Sequence, residues 1–489
     1  MGVDKGPPCR LIDAHPIVSP WTKILAAACC SLPLLNDCRN VFGADEDWPQ
    51  FLGPDRNGIA RETGLLEHWP TNGVPVLWEK KIGTGYSAPS VRGDRLVFHH
   101  RVGDEEIVEC CETSSGKPLW RYGYPSGFVD PYGYNNGPRA TPLLTADRCF
   151  TFGAEGKLLC LDLQTGKPVW QRDTAREWEV PPAFFGVGSS PVLEGDLLLV
   201  MVGGQPNAGM VAFDSQTGKK AWESVGDKNW QGATMTGWPG EPTVQWKRWD
   251  KQASYSTPVT ATVNGRRQVF CLMRQGLVSL DPANGSVLSS FWFRSRVEES
   301  VNAMSPVVVG DTVLVSGAYY RIGSVLLRFK PGAQRPEEVW RSTVLELHWN
   351  TPIYRDGYLY AFSGRNEPDA RFRCVEMKSA ELMWDRDESW PLHAGHTTPQ
   401  PNVYGRGSAI LADGKLVVLG EGGLLGLFKV NPRKAEEISR WQVPQLHFPC
   451  WAGPVLSHKK LYLRSEDRLV CLNLEKQGGP SSGLPEARH

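Results

Sequence analysis

The chain has 489 residues, with 53 Lys plus Arg against 53 Asp plus Glu, and so carries no formal net charge. That balance argues against a surface built to gather nucleic acid or anionic lipid. High counts of Gly (51), Pro (38) and Trp (19) point to many turns and short strands rather than long helices.

In chain order, the first segment is residues 1–44. Its apolar run Ile24–Leu35 is too short to span a bilayer and follows Lys5, Arg10 and Lys23. The stretch "NVFGA" offers a small-residue cleavage site near Ala44, so residues 1–44 read as a secretory leader. The mature chain is then expected to be exported, periplasmic or extracellular. Cys29, preceded by "LAAA", offers a position for lipidation. No later apolar run approaches ~18 residues, so no transmembrane segment is expected in the mature chain. Residues 45–73 read as an N-terminal extension packing on the large central region, and 477–489 as a polar disordered tail.

Between them one unit recurs. Its first half reads "SAPSVRGDRLVF" (87–98), "ATPLLTADRCFTF" (140–152), "SSPVLEGDLLLV" (189–200) and so on to "AGPVLSHKKLYL" (452–463). Each is a pair of short strands about a Gly/Asp turn. Its second half reads "IVECCETSSGKPLW" (107–120), "LLCLDLQTGKPVW" (158–170), "MVAFDSQTGKKAW" (210–222) and weaker copies downstream. Here an alternating strand meets a turn and then a second strand ending in Trp. The pairs Ser115-Gly116, Thr165-Gly166 and Thr217-Gly218 supply the positive φ a tight hairpin needs. Eight such four-stranded units run from Tyr86 to Leu474.

The two ends complement each other. The eighth unit stops at "LVCLNLEK" without a Trp strand, while "VPVLWEKKIG" (74–83) is a Trp strand without a unit. The expected fold is therefore all-β, an eight-bladed β-propeller of four-stranded antiparallel blades over residues 74–476. Strand 74–83 completes the last blade and leaves no sheet edge open. Trp78, Trp120, Trp170, Trp222, Trp292, Trp340, Trp384 and Trp441 are the expected terminal tryptophans.

The adjacent pair Cys110–Cys111 raises the question of a redox-active ring. Cys110 aligns with Cys160, Ala212, Ser279, Cys374 and Cys471, a recurring small-residue position, and its neighbour falls on the opposite face. Both are expected to be ordinary strand residues. Cys149 and Cys160 flank the turn "GAEG" and offer a cross-hairpin pair.

The phrase "CLDLQTGKPVW" with its upstream "TPLL" resembles the tryptophan-docking repeat of the pyrroloquinoline quinone (PQQ) propellers. That superfamily includes PQQ-dependent alcohol dehydrogenases and outer-membrane assembly lipoproteins that lack the cofactor. The opening "DWPQFLGPDRNGIA" (47–60) looks like the N-terminal segment of exported members. The resemblance implies a fold and leaves the activity open.

Sites are expected where connectors between blades converge on the channel mouth, because those segments are the least repetitive and are rich in aromatics, Asn, Arg and His. His348, His393, His396 and His447 lie in connectors leading into blades 6, 7 and 8. With Arg139 and Arg406, each just ahead of an inner strand, they form the candidate ligand cluster, the arginines suiting a carboxylate or an orthoquinone. The favoured reading is a ligand- or protein-binding scaffold, monomeric, whose partner is an envelope protein or a small polar ligand. The alternative implied by the resemblance is a PQQ- and Ca²⁺-dependent dehydrogenase of an alcohol or sugar. For it, Glu298, Glu299, Asn302 and Asp250 supply the residue types of a Ca²⁺ site and a base.

Overall fold

The computed structural model describes residues 46–182, 184–230, 253–295, 297, 300–390, 392–393, 396–397 and 402–476. Thirty-two of their 34 strands form eight four-stranded antiparallel sheets. The blades begin at inner strands Ser90–Arg92, Leu143–Leu144, Val192–Glu194, Val259–Val263, Val307–Val309, Ile353–Arg355, Ser408–Ala412 and Val455–Ser457. No helix among the described residues is long and apolar enough to cross a membrane.

Ring closure takes the expected form. The outer strand of blade 8 is Val76–Lys81, which pairs antiparallel with Arg468–Asn473. The first strand of the propeller thus completes its last sheet.

The recurring small residue has a definite partner. Cys110 stands opposite Trp120, Cys160 opposite Trp170, Ala212 opposite Trp222, Cys374 opposite Trp384 and Cys471 opposite Trp78. A bulge one residue before each of these tryptophans turns the indole toward the next blade. There its Nε1–H donates to a turn carbonyl: Trp78 to Thr113 at 3.0 Å, Trp120 to Leu163 at 2.9 Å, Trp170 to Ser215 at 2.9 Å and Trp222 to Pro282 at 2.9 Å. Trp340 and Trp384 do the same to Met377 and Asn431. The turn glycine beneath is obligatory: Gly166 has φ of +70°, and a Cβ there would lie 2.5 Å from the Trp120 ring.

Two of the eight tryptophans depart from this pattern. In blade 4 the residue opposite Ser279 is Ser289, and Trp292 lies past the slot, its ring 6.0 Å from that of Trp230. In blade 7 Ser439 faces Leu427, and Trp441 packs over Gly73. Trp69 of the extension serves blade 7 instead, its backbone N–H on the Ser439 hydroxyl at 2.9 Å and its indole on Leu425 O at 3.2 Å.

The cysteine pair is settled by the pleat. Cys110 joins the apolar cluster between blades 1 and 2, and Cys111 the cluster between blades 8 and 1. Both are free thiols, pushed up to about 12 by burial. The Cys149–Cys160 pairing is corrected: Cys149 stands opposite Leu161 and Cys160 opposite Phe150, so the two thiols face opposite sides of the sheet and are free.

The segment 46–60 crosses one end of the central channel. Trp48 exchanges two backbone hydrogen bonds with Val91 of blade 1, Leu144 N–H of blade 2 donates to Pro49 O, and Ala60 N–H donates to Leu411 O of blade 7. The Arg56 guanidinium reaches Leu193 O in blade 3 at 2.9 Å and Thr260 Oγ1 in blade 4 at 3.0 Å. The Ser457 hydroxyl of blade 8 donates to Glu46 O at 2.9 Å. Gly58, with φ of +72°, lets the chain pass Ile353 of blade 6, where a Cβ would sit 2.6 Å from Cδ1.

Candidate functional site

Inner strands carry a belt of hydroxyl groups. Thr141 N–H donates to Ser190 Oγ at 2.9 Å, Ser190 N–H to Thr257 Oγ1 at 3.0 Å, Thr257 N–H to Ser305 Oγ at 3.2 Å and Ser305 N–H to Thr351 Oγ1 at 3.3 Å. The Ser/Thr of the recurring "TP" and "SP" phrases therefore stitches blade 2 to blade 6. Blades 8 and 1 have Gly453 and Ala88 at this position and cannot continue the belt.

Two residues earlier in each repeat lies the wall of a cavity. Tyr86, Arg139, Gly188, Tyr255, Ala303, Trp349, Arg406 and Trp451 occupy this one position in blades 1 to 8, and all line a cavity of about 200 Å³ at the channel mouth. Phe51, from the segment crossing the channel, also lines it, as do Tyr134, Phe185, Tyr319 and His348. Every blade contributes, so the site belongs to the ring as a whole.

Its walls are aromatic and cationic. Trp451 packs against Tyr86, Trp349 and Tyr134 with ring centroids 4.9, 5.3 and 5.5 Å apart. The Arg406 guanidinium lies 4.6 Å from the Trp349 centroid and 5.6 Å from that of Trp451. Behind it, buried Glu421 accepts from Arg406 Nη2 at 3.0 Å, from Arg406 N–H at 2.7 Å and from Trp451 Nε1 at 2.7 Å; Glu367 also pairs with Arg406. Burial raises the Glu421 carboxyl, and Arg406 opposes that rise. Arg139 is held by Asp130 at 2.7 Å and faces the rings of Tyr86 and Phe128.

No carboxylate lines the cavity among the described residues. Two further guanidinium groups stand close by without an ion pair to any described residue. Arg365 lies on the rings of Tyr319 and Tyr320 at 4.5 and 4.7 Å. Arg464 is fully buried and donates only to carbonyls, those of Ser87 (2.5 Å), His99 (3.0 Å) and Gly83 (3.4 Å), and burial lowers it to about 9. It still carries its charge at neutral pH. The charged side chains that line the cavity itself are the guanidinium groups of Arg139 and Arg406, with their carboxylate partners behind them, which suits an anion.

His348 lies behind Trp349, its Nε2 3.3 Å from the Tyr319 hydroxyl. Burial, with Arg406 and Arg365 adding to it, lowers the imidazole to about 3. The same burial raises Tyr319 to about 12 and pushes Tyr255 above its usual range.

Of the six residues singled out from sequence, Arg139, Arg406 and His348 meet at this cavity. His447 stands apart, half exposed and 3.0 Å from Asp467; its connector reaches the cavity through Trp451. His393 and His396 are backbone partners in a short antiparallel ladder, and their side chains lie outside what the structure describes. Asp250, Glu298 and Glu299 also fall outside the described residues. Asn302 uses its amide N–H groups on Met273 O at 2.9 Å and Phe293 O at 3.2 Å. No group of three or more His, Cys, Asp or Glu among the described residues could hold a metal ion. The described lining brings no carboxylate to a Ca²⁺ ion, and the three acidic residues named for that role fall outside the described residues. Phe51, Tyr86, Tyr255, Trp349 and Trp451 were not singled out from sequence. All but Phe51 were readable as the residue two ahead of the hydroxyl position of each repeat.

Residues 70–245 match the family model described as outer membrane protein assembly factor BamB. Among solved structures, BamB from Moraxella catarrhalis superposes with a TM-score of 0.52 at 12% identity, over 83% of this chain and 99% of that one. The quinohemoprotein alcohol dehydrogenase from Comamonas testosteroni gives 0.57 at 11% identity, over 91% and 83%. The computationally designed Ika8 protein gives 0.50 at 7% identity, over 82% and 100%. No curated protein matches the chain in sequence. At these identities the likeness concerns the fold.

Proposed function

We propose that this eight-bladed propeller, similar in its repeats to the PQQ-like propellers, is a binding module whose ligand, a small planar anion, sits in the aromatic cup at the channel mouth. The observation that carries the reading is the cup itself. One repeat position, varied from blade to blade, places Trp349, Trp451, Tyr86 and Tyr255 around a cavity lined also by the guanidinium groups of Arg139 and Arg406 and by no described carboxylate. Aromatic faces suit a planar body, and guanidinium groups suit its carboxylate or sulfonate. Export of the module is part of the proposal, supported by the apolar run Ile24–Leu35 behind basic residues.

The rival is the PQQ- and Ca²⁺-dependent dehydrogenase. PQQ, itself a planar polyanion, suits the cup, whereas among the described residues no carboxylate lines it to hold Ca²⁺. Titration of the purified protein with PQQ, with and without Ca²⁺, separates the two. Binding is expected to quench tryptophan emission independently of Ca²⁺, with no dye reduction when alcohols or sugars are added. Ca²⁺-dependent dye reduction would move the assignment to the dehydrogenase.

A further inference from the structure

We infer that the N-terminal segment is part of the binding site, with Phe51 as the floor that sets how deep a ligand can sit. The inference rests on the cup reading above and adds the residue that limits ligand size. A propeller channel is open at both ends unless something fills it. Here the filler is chain outside the blades: residues 46–60 are tied to the inner strands of blades 1, 2, 3, 4, 7 and 8 by hydrogen bonds. That anchoring makes Phe51 a fixed wall rather than a loose tail.

Phe51 lines two cavities, the cup and a smaller chamber of about 60 Å³ beyond it. Ala88, Thr141, Trp349, Trp451 and Gly453 line both as well, and of the six Phe51 alone comes from the segment that crosses the channel. Ala88 and Gly453, the small residues of blades 1 and 8 at the position of the hydroxyl belt, line the chamber with it. The lower chamber is polar in part. Buried Asn350 directs its amide N–H to Gly407 O at 3.2 Å and leaves Oδ1 without a partner, and Ser408 Oγ has none either. A chamber of this size holds about two waters, which two orphaned acceptors would bind. Removing the Phe51 ring joins this volume to the cup and opens it to a longer ligand.

The test compares two aromatic anions of different length, 2-naphthoate and pyrene-1-carboxylate, by tryptophan quenching in the full chain. Phe51→Ala is expected to shift the affinity ratio toward pyrene-1-carboxylate by about three- to tenfold, the scale of one aromatic contact. Phe51→Trp, which keeps the floor filled, is expected to shift it the other way. An unchanged ratio in both variants overturns the inference. If Trp349→Ala still weakens both anions in that case, the cup reading stands and only the role of Phe51 falls. If the wild-type protein binds neither anion, both readings fall.

Discussion

Burial keeps the His348 imidazole neutral until about pH 3, whereas in the unfolded chain it takes a proton near its ordinary 6.5. Between those values the unfolded state binds a proton that the folded site refuses, so stability falls as pH drops through that window and is unaffected above it. His348→Gln removes this dependence. Its melting temperature is expected to decline less steeply than the wild type's between pH 6.5 and 4. The His348 ring resonances should not titrate between pH 8 and 5, and a midpoint near 6.5 would contradict the buried assignment. The neutral ring has a consequence for the cup: it adds no charge there across the physiological range, so the charged groups lining the cavity are the guanidinium groups of Arg139 and Arg406. Binding of an anion should be flat with pH over that range. The arginines are fixed rather than free to reach, since Arg406 is committed to Glu421 and Glu367. Such preorganisation lowers the entropy cost of gripping a ligand.

At the level of the strand and its turn, the stabilising device is the indole of one blade docked on the turn of the next. Trp120 is 9% exposed, with its Nε1–H satisfied on Leu163 O. Trp120→Ala is expected to cost about 3–5 kcal/mol. Trp441, outside the slot and partly exposed, should cost about 1–2 kcal/mol when truncated. Urea denaturation of the two variants checks the contrast, and equal losses would remove the distinction between docked and displaced tryptophans. The repeats made the blades legible, because alternating strands, Gly turns and a Trp recur at similar intervals. They also led to Trp292 and Trp441 being placed with the others. Counting from the small residue resolves the first case: Cys110 to Trp120, Cys160 to Trp170 and Ala212 to Trp222 are each ten residues apart, and ten residues from Ser279 is Ser289. In blade 7 the turn is longer and no count would have identified Trp69, which comes from more than 350 residues away in sequence. The cup wall was readable in the same register, two residues ahead of the hydroxyl belt. What hid it was chemical diversity, since a position holding Tyr, Arg, Gly, Ala and Trp does not look like a repeat.

For the whole ring, the N-terminal segment does two separable things. Residues 76–81 complete a sheet, while residues 46–60 cross the channel. A chain beginning at residue 74 retains all eight blades and is expected to elute as the full chain does, with a lower melting temperature. A chain beginning at residue 82 leaves the strand Arg468–Asn473 as a bare edge and is expected to aggregate. Size-exclusion chromatography and thermal melts distinguish the two, and an intact, monodisperse product from the second would contradict closure by Val76–Lys81. None of the channel crossing could be read from sequence. Its partners lie at Val91, Leu144, Leu193, Thr260, Leu411 and Ser457, and no local pattern in residues 46–60 encodes contacts spread over the length of the chain.

The pairing of Val76–Lys81 with Arg468–Asn473 also orders events in time. The strand that closes the ring is made first, and its partner is made last. Seven blades can assemble in sequence as they emerge, but the eighth must wait until nearly the whole chain is present, and its closing contacts span almost four hundred residues. Contacts of such separation form slowly. Closure is thus a test of completeness: a chain truncated before Arg468 cannot pass it, and the early strand remains unpaired as the mark of an unfinished molecule.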